Sequence, residues 1–317
     1  MDSNNLPLSL ANLLKSLPPL SQNILPTRLP LPPALIVSLN KSYEGVYTLT
    51  TILSSHYNST PPDKLSEIIQ QELAELIYSS NFIEYAGTDL PSTVSICKKV
   101  FANQPFQPRN IQELEVVQHA KAIIFFFTEY VVNKSPLSED LILQTHNILC
   151  SGHDHSDGTH WSLWAGKYRT CEIAASSIDP NTGKRKKSIF IRAAAVTNYM
   201  ATLIRNFNGV DMDPIELAAW VCTQFVNIHP FDDGNGRMCR ILLNAVLWRY
   251  TGLIARIGED EKGREGYLLL AGRGNRVYHE EDCEVEVLGQ RSHVGLAELV
   301  VGKVRECGER VLEGVKG

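Results

Sequence analysis

From Pro214 to Ile228 the chain reads as a helix with apolar residues on nearly every side, Ile215, Leu217, Trp220, Val221, Phe225 and Ile228 among them. Such a helix has no face to offer water, so it belongs at the centre of a bundle. Its start is spelled out in order: Asp213 as cap, Pro214 at the first helical position and the acidic Glu216 behind it. Around this rod the three-and-four spacing predicts further helices over Asp63 to Ser80 with Asp63 as cap, Ile111 to Val132, Ser138 to Cys150 and Arg192 to Phe207. Another runs from about Gly236 to Tyr250 and stops at Gly252, and beyond Gly258 only Leu296 to Leu312 reads as helical. Between Lys167 and Ile191 the texture changes to short extended runs about the turn-forming cluster Asp179-Pro180-Asn181-Thr182-Gly183, the pattern of a β-hairpin.

Residues 1–62 hold nine of the sixteen prolines and five charged residues, which predicts an extended arm in place of long helices. A formal charge of -5 argues against a nucleic-acid polyanion or an anionic membrane as partner. Apolar stretches such as Ile123 to Phe127 and Ala245 to Trp248 fall far short of a membrane span. The seven cysteines have no C-x-x-C spacing and suit free thiols, and the N-terminus does not read as a secretory signal, so a cytoplasmic or nuclear protein is expected.

The chemistry concentrates in His229-Pro230-Phe231-Asp232-Asp233-Gly234-Asn235-Gly236-Arg237-Met238-Cys239-Arg240, between two of the helices. Gly234 and Gly236 permit the backbone turns that aim successive N–H groups at an anion, with Asn235 as a further donor and the positive end of the next helix behind them. Arg237 and Arg240, three apart, share one helix face and can grip phosphate oxygens. Asp233 is a hard carboxylate suited to Mg²⁺ beside a phosphate, and His229 is placed as a general base.

This segment resembles the signature of the Fic family, H-x-F-x-[DE]-G-N-G-R-x-x-R, at every defined position. Gly166, Tyr168 and Arg169 in Gly166-Lys167-Tyr168-Arg169 resemble the start of that family's flap, and Asn244 stands where the family has its adenosine-side asparagine. The resemblance implies a mainly α, Fic-type helical bundle with a β-hairpin flap, covering residues 63–257, after an arm at 1–62 and before a C-terminal extension at 258–317. It implies AMP transfer from ATP to a Ser, Thr or Tyr hydroxyl of a target protein. His229 would be the base and Asp233 the Mg²⁺ ligand; Gly234, Asn235, Gly236, Arg237, Arg240 and Asn244 would bind nucleotide, and Phe231 would anchor the loop. A de-AMPylating hydrolase, or transfer of another phosphate-linked group, is the alternative. A homodimer is compatible with the resemblance; nucleic acid and membrane are not expected as partners.

Ser79-Ser80-Asn81-Phe82-Ile83-Glu84-Tyr85 resembles the family's inhibitory motif [ST]-x-x-x-E-[GN], which implies that Glu84 pairs with Arg240 and restrains activity. Tyr85 departs from it, with Gly87 in reach as the left-handed stop. Three other stretches read more plainly. His153-Asp154-His155-Ser156-Asp157 with His160 is expected to be a solvated loop, Lys184-Arg185-Lys186-Lys187 a basic hairpin tip, and Gly272-Arg273-Gly274-Asn275-Arg276 a basic loop.

Overall fold

The structure is a computed structural model, which describes residues 33–57, 59–155, 157–178, 185–281 and 286–317, and the side chains of these except 33–42, 176–178 and 185–186. The helices are α1 (Pro33–Tyr57), α2 (Pro62–Ile83), α3 (Leu90–Phe101), α4 (Ile111–Phe127), α5 (Glu139–Cys150), α6 (Val196–Gly209), α7 (Pro214–Ile228), α8 (Asn235–Thr251), α9 (Glu261–Glu281) and α10 (Val294–Lys316). Strands β1 (Ala174–Ile178) and β2 (Arg185–Ile189) pair antiparallel, Ala174 opposite Ile189 and Ile178 opposite Arg185. The expected turn at 179–183 lies outside the described residues, apart from its flanking strands.

α7 and α8 form the centre, as an all-apolar helix requires. Fourteen of the fifteen residues of α7 are buried, and α8, which follows the turn at 229–234, packs against it. Caps confirm the expected starts of two helices: the Ser138 hydroxyl accepts from Leu141 N, and the Asp213 carboxylate accepts from Ile215 N. At α2 the expectation fails in detail. Pro61 is the cap residue and Pro62 takes the first helical position, leaving Asp63 inside the first turn. The helix predicted to run unbroken from Ile111 to Val132 widens after Phe127 into a π-turn over Thr128–Val132.

Larger corrections fall at the two ends. The extended arm expected over 1–62 is, across 33–57, a 25-residue helix that packs on α10. The prolines misled because they gather at that helix's two ends, up to Pro33 at its first position and at Pro61 and Pro62 after it, with none beyond the first position. Residues 261–281 also form a helix where none was expected, so Gly272-Arg273-Gly274-Asn275-Arg276 lies within α9 and is no loop. α3 was likewise unforeseen, although Asp89 caps it and Pro91 stands in its first turn. α2 is fixed to the C-terminal part by buried charge: Glu72 accepts from Arg310 Nε at 2.9 Å, and Arg256 pairs with Glu75. Among the described residues no helix is long and apolar enough to cross a membrane, and six cysteines are free.

Candidate active site

His229 ends α7 in the left-handed conformation, φ 52°, ψ 62°, with its N–H still bonded to Phe225 O at 2.9 Å. That backbone turn throws the imidazole out of the helix and starts the loop. Nδ1 lies 3.0 Å from Val226 O; a carbonyl only accepts, so Nδ1 carries the hydrogen and Nε2 keeps its lone pair. Phe190, just past β2, stacks on the ring at 3.8 Å. Burial pushes the ring's pKa down to about 4; the Val226 carbonyl opposes this and Arg169 adds to it. A neutral imidazole with one free nitrogen is a base at neutral pH.

The loop behind it is held by its own side chains. Asn235 Oδ1 accepts from Phe231 N at 3.0 Å while its Nδ2 donates to Phe231 O at 2.8 Å, so this amide closes the turn and does not itself face a ligand. Phe231 is fully buried and stacks at 3.6 Å on His146 of α5, confirming it as an anchor. His146 is a loop-holding residue that the sequence reading missed. Its Nδ1 accepts from Gly166 N at 2.8 Å, so Nε2–H donates to Asp233 O at 3.0 Å, and burial lowers its pKa to about 4. Nothing local marks it, because its partners lie 20 and 87 residues away.

Gly166, Tyr168 and Arg169 bolt the flap's base to this loop. Gly166 has φ +72°, and a Cβ there would come within 2.8 Å of Asn147 Cβ and 2.9 Å of Leu143 O. Tyr168 packs on Phe231. Buried Arg169 donates through Nε to the carbonyl of His229 at 2.6 Å, an orphan acceptor at the C-terminal end of α7, and to the carbonyls of Cys171 (2.8 Å) and Ile191 on the flap's two sides.

Gly234 sits at φ +75° at the head of α8, so the first N–H groups of that helix have no intrahelical acceptor and point outward. Arg237 is buried, and its Nε and one terminal nitrogen have no partner among the described residues. Its other nitrogen lies a loose 3.5 Å from the Asp233 carboxylate. Unpaired buried guanidinium donors beside a helix N-terminus fit a phosphate. The Asp233 side chain is exposed. Desolvation by the surrounding walls pushes its pKa up, and Arg237, Gly234 N–H and the nearby histidines outweigh that and hold it below its ordinary value. One exposed carboxylate at a candidate phosphate site is a donor set that fits Mg²⁺, which fills its other positions with phosphate oxygens and water.

Arg240 is differently placed. Its Nε donates to Ser80 Oγ and a terminal nitrogen to Ser80 O, both at 2.8 Å, and the latter also reaches Glu84 Oε1 at 2.7 Å. The Glu84 carboxylate overlies Gly236 so closely that a Cβ on that glycine would collide with it. Glu84 is brought there by the end of α2, where Tyr85 N bonds to Phe82 O and Ala86 N to Asn81 O, a Schellman pair. Tyr85 itself takes the left-handed position, φ 54°, which corrects the expectation that Gly87 would serve as the stop. Arg264 of α9 braces this end: it donates to Ile83 O at 2.9 Å and stacks on the Tyr85 ring at 3.9 Å.

Asn244 stands apart from the cluster. Fully buried, it donates to Arg240 O at 2.9 Å and accepts from Ala255 N at 2.7 Å, so it ties α8 to the following loop. The loop expected to be solvated is partly packed: His153 is buried with a lowered pKa, about 4, from burial first and Arg237 second, and His155 stacks on Trp164 at 4.1 Å. Among the described residues no group of three or more potential ligands could hold a metal.

Comparison with known proteins points the same way. Residues 136–247 match the model of the Fic/DOC family. The chain is similar to a protein adenylyltransferase Fic of Nematostella vectensis, 26% identical over 216 residues, 67% of this chain and 46% of that protein. A Fido domain-containing protein of Dictyostelium discoideum is 42% identical over 66 residues, 20% of this chain and 46% of its own length. The chain thus spans about half the length of these relatives. In fold it is similar to a Fic domain containing signaling protein from Bacteroides thetaiotaomicron, TM-score 0.63 at 20% identity over 84% of this chain and 97% of that one. It is similar also to Fic-1 of C. elegans, TM-score 0.64 at 19% identity over 90% and 74%. The likeness to the Fic/DOC family is thus carried by residues 136–247, the stretch that holds His229, the loop behind it and both arginines.

Proposed function

We propose that this chain transfers AMP from ATP to a Ser, Thr or Tyr hydroxyl of a target protein, and that Glu84 restrains it. The observation that carries the reading is His229, neutral, with Nδ1 engaged by Val226 O and Nε2 free, beside a helix N-terminus whose Arg237 has unpaired buried donors. The names of the relatives, protein adenylyltransferase Fic, support it. The target hydroxyl gives its proton to His229 Nε2 as its oxygen bonds to the α-phosphorus. The bond from that phosphorus to the bridging oxygen breaks and pyrophosphate leaves. The α8 N–H groups and Arg237 hold phosphate oxygens against developing charge. Asp233 would hold Mg²⁺, which draws off negative charge from the leaving group when bound. Asn235, Phe231, His146 and Arg169 keep the loop in shape.

Glu84 opposes this by filling Arg240 and the space over Gly236, where a terminal phosphate would sit. Replacing His229 with Ala tests the core of the reading. Transfer from radiolabelled ATP, measured with Glu84 replaced by Gly in both proteins, should fall by at least about 100-fold, the usual share of a general base. ATP affinity by calorimetry should stay within about twofold, since the ring makes no phosphate contact in this scheme. Transfer at the parent rate would overturn the assignment of the base. Release of AMP from a pre-AMPylated target that requires Glu84 would favour the hydrolase instead.

A further inference from the structure

α9 lies outside the matched family segment, yet its second half reaches the flap. Gly274 makes the approach possible: a Cβ there would stand 2.7 Å from Ser292 O and 3.7 Å from Thr223 of α7. The next residue, Asn275, puts Nδ2 at 2.9 Å from Ile189 O, the last residue of β2, and 2.7 Å from Asn227 Oδ1, two residues before His229. Asn227 Nδ2 already donates to Thr223 O, so its Oδ1 is the oriented acceptor. One turn on, His279 Nε2 lies 2.7 Å from the same Ile189 carbonyl, which can only accept, so Nε2 carries the hydrogen.

The returning strand of the flap is therefore fixed at three successive residues. α9 holds Ile189, the ring of Phe190 lies on His229, and Arg169 takes the carbonyl of Ile191. Only the first of these grips comes from outside the matched family segment. Ile189 is itself an exposed apolar side chain, so packing does little to keep the strand down there. We propose that Asn275 and His279 are positioning residues for AMP transfer, which hold the flap's return strand so that Phe190 stays stacked on His229 and the flap keeps its place beside the loop. This rests on the transferase reading above.

A hydrogen bond of this kind is worth about fivefold in an equilibrium between held and lifted strand. The test uses the full chain carrying Glu84→Gly, with Asn275→Asp, which keeps shape and loses the donor, and His279→Ala, singly and together. Self-AMPylation from α-labelled ATP gives kcat and KM, calorimetry gives ATP affinity, and hydrogen exchange reads residues 185–191. Each single change should lower kcat about fivefold, and both together more, with KM and affinity for ATP within about twofold and faster exchange in the strand. His279→Gln, whose amide can still donate to Ile189 O, should recover most of the loss. Unchanged exchange, or faster exchange with kcat intact, overturns the proposal, as does an equal loss of ATP affinity. A Glu84→Gly parent that transfers nothing overturns the transferase reading itself and this proposal with it, whereas a working parent with unaffected variants overturns the proposal alone.

Discussion

Arg237 and Arg240 leave the same face of α8 three residues apart and are both buried, yet one half of the anion site is open and the other filled. Arg237 keeps two nitrogens without a partner among the described residues. Arg240 is engaged by Ser80 through two contacts and by Glu84; burial works against its charge, but Glu84 and the other groups packed around it together outweigh burial and raise its pKa. The difference lies not in the arginines or their helix but in what faces them. α2 presents a serine, a carbonyl and a carboxylate to Arg240, while the ground beside Arg237 is the helix N-terminus and Asp233. In the proposed reading, the cradle as folded is open to one phosphate group and contested for the next.

That contrast is most sharply tested by removing the competitor. A charge-assisted hydrogen bond at a partly exposed site is worth about 1.5 to 3 kcal/mol, so Glu84→Gly should raise self-AMPylation by roughly ten- to a hundredfold. Adding Arg240→Ala should cancel the gain. The Glu84→Gly protein should fold, because in it Arg240 retains both contacts to Ser80 and position 84 has an ordinary φ of -93°. Unchanged labelling in Glu84→Gly would leave Glu84 a helix-end carboxylate and nothing more.

The two arginines should also respond differently to the same substitution. Arg237→Ala should weaken ATP binding about tenfold whether or not Glu84 is present, since its donors are open in both states. Arg240→Ala should weaken binding by a similar factor only in the Glu84→Gly background. Calorimetry on the four variants and their two parents decides; equal losses for Arg240→Ala in both backgrounds would mean that Glu84 does not compete with nucleotide.

A smaller release is expected from α9. Arg264 braces the end of α2 through Ile83 O and the Tyr85 ring, so Arg264→Ala should raise labelling about threefold to fivefold, the worth of one lost bond, through looser seating of Glu84. No rise would show that the helix end holds Glu84 unaided.

The pH profile separates the base from both arginines. Burial, the first cause, holds His229 neutral down to about pH 4; an unperturbed imidazole protonates near pH 6.5. Removing Glu84, which raises that pKa, can only move it further down. In the Glu84→Gly protein, protonation of the base should therefore cost less than about twofold between pH 7 and pH 5, against roughly thirtyfold for an ordinary histidine. A fall with a midpoint near 6.5 would mean that His229 is solvated when it works.

How much of this was legible depends on how far apart the partners lie. The loop at 229–240 could be read because its order is local: Asn235 closes on Phe231 four residues back, and Gly234 opens the helix that presents Arg237. The caps at Ser138 and Asp213 are equally local. His146, Arg264, Asn275 and His279 were missed because each acts on a residue tens to hundreds of positions away, through a backbone carbonyl or N–H that has no identity in the sequence. α9 was hidden for a related reason. Gly263, Gly266, Gly272 and Gly274 argue against a helix at about 1 kcal/mol each, but tertiary packing overrides propensity, and Gly274 is small because Ser292 O leaves no room.

The smallest expected effect is at the residue that departs most visibly from the inhibitory motif. Tyr85 takes a left-handed backbone that costs a non-glycine residue about 1 to 2 kcal/mol, so Tyr85→Gly removes strain. Against this stand the greater freedom that glycine gives the unfolded chain, about 0.5 to 1 kcal/mol, and the loss of an exposed stack with Arg264, about as much again. The terms nearly cancel, and the melting temperature should move by no more than a few degrees. Labelling should also stay within about twofold of the unaltered chain. The Schellman bonds to Phe82 O and Asn81 O that deliver Glu84 to Arg240 are made by backbone, and a glycine makes them as well as a tyrosine. Arg264 still finds Ile83 O, also backbone. A rise in labelling to the level of Glu84→Gly would reverse this reasoning: the aromatic side chain gripped by α9, not the helix's own hydrogen bonds, would then be what keeps Glu84 on Arg240.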